Sequence, residues 1–468
     1  MLCKTLLTTL LLAAPLLHAP HLQAQDTRTV TEPIIPQICT TLTAQLPAVS
    51  APGGGFALNE NDESKLDTAR IQHALDHCAK NHAVALTAAG PNTAFLSGPL
   101  ELRANVTLLI NKGVTLFASR DPKVYETAPG SCGLVNNERN GCKPFLSAKH
   151  IAGAAIMGEG TIDGRGGANL LHQNVSWWQL AEQAHDAGRQ QVPRLLIADY
   201  ADNFTLYKIT LSNSPNFHVS YNHGNGFTVW GVRIDTPHRT SQNRTSRNTD
   251  GIDPGGSKNI TITHTFIRTG DDNIAIKGGD TITNMTVAHN HFYWGHGMSI
   301  GSETNGGVSK IRVTDLSLDG TDSGIRIKSN ASRGGLVHDV VYDDICIRNS
   351  PAPIFIDTAY TAAGSQQGTS LPTYRDITLR NVRVSGGGKI AFNGYDATHR
   401  ATVTLDSVQL TDATTSNYSY SLSHADITLG PGPTNLQIPT TSGSTLTGTP
   451  ASATPASCTE KFVPFPAP

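Results

Sequence analysis

Residues 259–287 read NITITHTFIRTGDDNIAIKGGDTITNMTV and carry one short phrase twice, NITI at 259 and NMTV at 284, with NIAIK between them. Each phrase alternates apolar and polar residues, as a half-buried strand does. Aligning NFTL (203), GFTV (226), NITI (259), NMTV (284), KIRV (310), DVVY (339) and DITL (376) extends the repeat. Steps between their second residues, at 204, 227, 260, 285, 311, 340 and 377, are 23, 33, 25, 26, 29 and 37, so a unit of 23–29 residues is twice lengthened by insertions. A second series, NIAIK (273), GMSIG (297), GIRIK (324) and PIFID (353), interleaves with the first. At least two short strands per repeat predict an all-β, right-handed parallel β-helix rather than a sandwich.

In such a solenoid, residues one period apart lie on neighbouring strands about 4.8 Å apart. Alternation in GIRIK turns Ile325 and Ile327 into the core and leaves Arg326 and Lys328 outside. One helix is expected early, in DESKLDTARIQHALDHCAKNH (62–82), where Leu66, Ala69, Ile71, Leu75 and Cys78 fall near helical spacing. It would cap one end of the stack, because a terminal coil needs a cover. Beyond it, helix signals nearly vanish.

The 468 residues would suggest about three domains by length alone, but a repetitive β fold runs longer as one unit. The expected division is a signal peptide over 1–24, a β-helix over 25–440 and a Ser/Thr/Pro-rich tail over 441–468. The opening MLCKTLLTTLLLAAPLLHAPHLQAQ, with Lys4, an apolar run and Ala24 before Gln25, reads as a secretory signal cleaved on export. No later stretch approaches the roughly 18 apolar residues that a membrane helix needs, so no membrane association is expected. The tail, TTSGSTLTGTPASATPAS from 440, reads as an extended or mobile segment that tethers Cys458.

Removing Cys3 with the signal leaves Cys39, Cys78, Cys132, Cys142, Cys346 and Cys458, an even set that suggests three disulfides outside the cytoplasm. Cys132 and Cys142 flank the polar loop GLVNNERNG, which favours a local bridge; Cys39–Cys78 and Cys346–Cys458 are the remaining pairs, and free thiols are the alternative. The 35 Lys and Arg nearly balance the 37 Asp and Glu, and no basic run suggests a nucleic-acid partner. A polyanionic ligand would have to meet a local basic patch.

Candidate chemistry lies at coil spacing. From Asp250 in RNTDGIDPGG to Asp271 is 21 residues, from Asp272 to His296 in WGHGMSIG is 24, and from His296 to Arg326 in GIRIK is 30. Stacking therefore gathers Asp250, Asp271, Asp272, His296, Arg326 and Lys328 on one side. Three close carboxylates cannot all ionise freely, so at least one should have a raised pKa and serve as a proton donor. A protonated acid beside ionised carboxylates suits glycosidic cleavage, and a cationic pair beside them suits the carboxylate of an acidic sugar. Taken singly, Asp250 and Asp272 read equally well as β-helix turn residues.

The ordered set NTD (248–250), DD (271–272), GHG (295–297) and RIK (326–328) resembles the polygalacturonases of glycoside hydrolase family 28. The stretches NTDGIDPGGSKNITI, TGDDNIAIK and GHGMSIGSET look closest to its secreted bacterial endo-acting members. The resemblance implies hydrolysis of α-1,4 bonds in homogalacturonan, the de-esterified part of pectin, with inversion and without metal or cofactor. It implies Asp271 as general acid, Asp250 and Asp272 as the groups activating water, and His296 as support for the acid. Arg326 and Lys328 would bind galacturonate, with Asn248 and Tyr360, in IDTAY, as further substrate contacts. A monomer is expected. Asp253 and Asp280 read as structural, Lys277 as solvated or structural with an extension of the basic cleft as the alternative, and Trp177 and Trp178 as packing within a loop rather than sugar-stacking platforms. A pectate lyase, a rhamnogalacturonan or exo-acting hydrolase, and a non-catalytic β-helical adhesin are the competing readings.

Overall fold

The computed structural model describes residues 25–50, 55–237, 246–361, 367–412, 414, 416–439, 443–451 and 453–467. The proposed signal segment, 1–24, lies outside the described residues. Strands dominate, stacked coil on coil as a parallel β-helix. One face is an eleven-stranded parallel sheet running from Leu100–Glu101 to Tyr418–Ser423, with Ile252–Gly255, Ile274–Ile276, Met298–Ile300 and Ser323–Lys328 as consecutive neighbours.

Register explains the core. Ile252, Ile274, Met298, Ile325, Ile354 and Ile390 pair in succession and all are fully buried, a single apolar file through six coils. Alternate residues point outward, which puts Ser299 beside Arg326.

The corners explain the Asn and Asp of the repeat. Every first residue of the aligned phrases has positive φ: Asn203 (50°), Gly226 (95°), Asn259 (58°), Asn284 (59°), Lys310 (55°), Asp339 (55°) and Asp376 (53°). The chain must enter the left-handed region there to swing between sheets, and Asn, Asp and Gly do so at least cost. A second corner, at Lys208, Gly231, His264, His289, Asp315, Asp344 and Asn381, repeats with the same steps and the same handedness.

The expected cap is a ten-residue helix, α1 (Thr68–His77), burying Ile71, Ala74 and Leu75; Leu66 precedes it and is 41% exposed. A second helix was not expected. Helix α2 (Trp177–Ala187) opens with a reciprocal capping box between Ser176 and Gln179. Its tryptophans are buried as packing groups, but within a helix and not a loop, and Trp178 Nε1 donates to the Ser214 carbonyl at 2.8 Å. The signal was SWWQ, a Ser followed three residues later by Gln.

The disulfides are Cys39–Cys78, Cys132–Cys142 and Cys346–Cys458. The C-terminal segment, read as extended or mobile, makes defined contacts where it is described. Thr445–Thr447 pairs with the strand Ala425–Leu429, Lys461 bridges Asp315 and Asp344, and Phe465 lies 4.0 Å from the Arg268 guanidinium. The tether at Cys458 brings the segment back across earlier coils, where charged and aromatic side chains hold it.

If the corner fixes the register, Asn284→Val, which places a β-branched residue at a φ of 59°, destabilises the fold by about 1–2 kcal/mol. Asn284→Gly should cost less. Urea denaturation midpoints of the two variants check this.

Candidate active site

The site forms where the strands at Ile252, Ile274, Met298 and Ser323 begin, because the residues just before or within them emerge at one edge of the sheet. Thr249 Oγ1 accepts from Gly270 N (2.9 Å), and Gly251 N donates to Asp272 O (2.9 Å), so the NTD and DD turns are tied together across coils. His296 follows one coil on, its backbone N donating to Asp271 O at 2.8 Å. Its neighbours Gly295 and Gly297 have φ of 75° and 79°, and a Cβ at either would strike backbone carbonyls.

The adjacent acids face different partners. Asp271 Oδ1 lies 3.0 Å from His296 Nδ1, and its Oδ2 accepts from Asn248 N at 3.3 Å. Asp272 is 1% exposed by its side chain and accepts from Lys328 Nζ (2.8 Å), Arg326 (3.0 Å) and Ser299 Oγ (2.7 Å). Burial pushes both carboxyls up, but the cations outweigh it. Lys328 and Arg326 hold Asp272 well below the usual carboxylate range, and His296 holds Asp271 at about 2. Burial would lower His296, yet Asp271, with Asp322 at its Nε2 side, raises the imidazole to about 10.

Asp250 behaves oppositely. Burial, together with Asp253 and Asp271, raises its pKa well above the ordinary value, and burial pushes Asp253 up to about 7. Both share one cation, Lys277, whose Nζ is 3.6 Å from Asp250 and 3.8 Å from Asp253. Burial outweighs Lys277 at both carboxyls, with Arg194 adding to the pull on Asp253. Asp250 Oδ1 and both Asp253 oxygens are buried without a donor. His218, fully buried, contacts the Asp250 carbonyl at 3.0 Å and Thr236 at 2.8 Å; burial lowers it to about 4, so it supports Asp250 as a neutral ring.

All eight residues singled out in the sequence meet here. Tyr360 lies 5.5 Å from the Arg326 guanidinium and 5.2 Å from Lys328 Nζ, a π face over the cationic pair. Asn248 contributes its backbone to Asp271, while its side chain accepts from Gln190 at 2.9 Å. The raised carboxyl of the cluster is Asp250, whereas Asp271 is ionised beside an imidazolium. Lys277 and Asp253 lie beside the cluster, where Lys277 reaches back across one coil to pair with Asp250 and Asp253. Ser299 was legible from outward parity in GMSIG; Gln190, in a strand outside the repeat, had no signal. Asp280 stays outside, paired with His223. Donor atoms of Asp271, Asp272 and His296 lie within 4.8 Å of one another, a spacing that could hold a cation, but here His296, Arg326 and Lys328 already neutralise both acids.

A parallel β-helix with buried carboxylates facing fixed cations in an outer cleft is the architecture of a polysaccharide-cleaving enzyme. The chain belongs to glycosyl hydrolases family 28, whose model matches residues 78–425. It is 44% identical over 396 residues, 84% of this chain and 91% of the relative, to an endo-polygalacturonase of Pectobacterium carotovorum subsp. carotovorum. It is 38% identical to a polygalacturonase of Ralstonia solanacearum, covering 93% of this chain and 92% of that one. The solved polygalacturonase from Erwinia carotovora ssp. carotovora superposes with a TM-score of 0.76 at 42% identity, over 86% of this chain and 99% of its own.

The Asp271–His296 pair has a thermodynamic signature. A His raised to about 10 contributes stability that is complete below its unfolded value, near 6.5, and is lost as pH rises through 10. Wild-type stability should therefore decline relative to His296→Gln between about pH 6.5 and 10. Denaturation midpoints of both proteins across that range check the sign.

Proposed function

We propose that this chain is a secreted endo-polygalacturonase that hydrolyses α-1,4 bonds of homogalacturonan with inversion. The observation that carries the reading is the division of labour among the carboxylates: Asp271 is linked to a protonated His296, Asp272 to two cations, and Asp250, raised by burial, to Lys277. The names of the relatives supply the polymer and the endo mode of attack.

In this mechanism Asp271 protonates the leaving oxygen, taking its proton from His296 Nδ1–H at 3.0 Å. Asp250, in its ionised form beside Lys277, accepts the proton of the attacking water, and Asp272 orients that water. Inversion needs a gap of about 6.5–9.5 Å between acid and base, wide enough for the water. Asp250 and Asp271 approach the cleft from neighbouring coils, which supports such a gap. Arg326 and Lys328 retain N–H groups beyond those given to Asp272 and hold the sugar carboxylate under Tyr360. The three disulfides and the N-terminal sequence support action outside the cytoplasm.

On de-esterified polygalacturonate, purified protein should release reducing ends without unsaturated uronide, and viscosity should collapse early. Asp271→Asn should lose at least about 100-fold in kcat, the scale of a general acid. Unsaturated product would mean a lyase, and no product from folded protein would leave a binding protein.

A further inference from the structure

Upstream of the carboxylates, the cleft is walled by α2, by the antiparallel strands Leu134–Asn136 and Arg189–Gln191, and by the loop that Cys132–Cys142 closes. Between this wall and the sheet lies a cavity of about 590 Å³, within the range of sites that enclose a small ligand. Four arginines line it: Arg139, Arg189, Arg194 and Arg247. Among the described residues none has an ion-pair partner, in contrast to Lys277, Arg326 and Lys328, each of which sits on an aspartate. Among the described residues that line the cavity, Glu138 is the one carboxylate; Glu182 and Asp186 lie on α2 outside that lining.

Two further features point to a ligand. The Arg194 guanidinium lies over Phe217, 4.7 Å from the ring centroid, and burial lowers its pKa against the pull of Asp253 and Asp250. A guanidinium held in that way presents a rigid fork suited to a carboxylate. Beside it, Gln190 Oε1 is buried without a donor, while Gln190 Nε2 donates to Asn248, whose backbone N donates to Asp271. The cavity is thus two hydrogen bonds from the acid.

The opposite end of the cleft differs. A cavity of about 320 Å³ beyond Lys328 is lined by Asp357, Asn393, Tyr395, Ser421 and Ser423 among others, with no lysine or arginine. Its carboxylate, Asp357, accepts from Asn393 at 2.7 Å. Among the described residues that line it, His424 is the one group that could carry positive charge, so an anionic sugar has less to gain there than upstream.

We propose that the arginine-lined cavity is a remote subsite that reads the free carboxylate of a uronate, while the far end accepts a methyl-esterified residue. The chain would then demand unesterified sugar on one side of the cleaved bond only. This deepens the proposed hydrolysis and rests on it.

The test compares pectins of zero and intermediate methyl esterification, using full-length mature protein. Removing one charge-assisted contact corresponds to roughly tenfold in binding. Arg194→Gln should therefore lower kcat/KM on unesterified polymer roughly tenfold, through KM, and change the value on esterified polymer less than twofold. Arg139→Gln/Arg189→Gln, on the exposed wall where folding is not at risk, should shift the same ratio in the same direction. Mass spectrometry of wild-type products should place methyl esters towards one end of each oligomer, and the variants should spread them. Equal losses on both polymers, or an ester pattern unchanged by both variants, would overturn the subsite. If wild-type protein released no reducing ends at all, the hydrolase reading itself would fall instead.

Discussion

Everything in this molecule depends on register between coils. A slip of one residue would turn every inward side chain outward, and the left-handed corner at the start of each aligned phrase prevents it by ending one strand and aiming the next. Because Ile252, Ile274, Met298 and Ile325 are locked in one buried file, the residues flanking them have no freedom of placement. Asp250, Asp272, His296 and Arg326, spread over four coils, arrive at a common edge as a consequence. The Thr249–Gly270 and Gly251–Asp272 bonds show the same register continuing into the turns.

Register concentrates charge, and burial makes that charge costly unless it is paired. Four carboxylates, Asp250, Asp253, Asp271 and Asp272, face four cations, Lys277, His296, Arg326 and Lys328. Adjacent Asp271 and Asp272 tolerate each other because each is turned to its own cation. Pairing also differentiates them: Asp272 is fixed as an anion, Asp271 is joined to a proton carrier, and Asp250 and Asp253 are raised by burial despite Lys277. A centre so balanced has little positive charge left for a polyanion, which gives the unpaired arginines upstream their significance.

Much of this was legible in the sequence. Positions one coil apart carry the same short phrase, so the solenoid and the edge holding Asp250, Asp271, Asp272, His296, Arg326 and Lys328 follow from periodicity and alternation. Helix α2 escaped because it lies in an insertion, where the repeat says nothing and only the Ser176–Gln179 cap marks it. Lys277 shares its outward parity with solvated lysines, and only its distance to Asp250 and Asp253 shows what it pairs with. The protonation pattern was beyond sequence altogether. Close carboxylates imply that one is raised, but which one depends on where each cation points, and His296 points at Asp271.

If acid and base act from opposite sides of the bond with a water between them, the configuration at the anomeric carbon inverts. Proton NMR of the product in the first moments of polygalacturonate hydrolysis, before mutarotation, reads this directly through the anomeric signal of the new reducing end. The account predicts the β anomer from the α-linked polymer. An initial α anomer would mean retention through a covalent intermediate and would contradict the assignment of roles to Asp271 and Asp250.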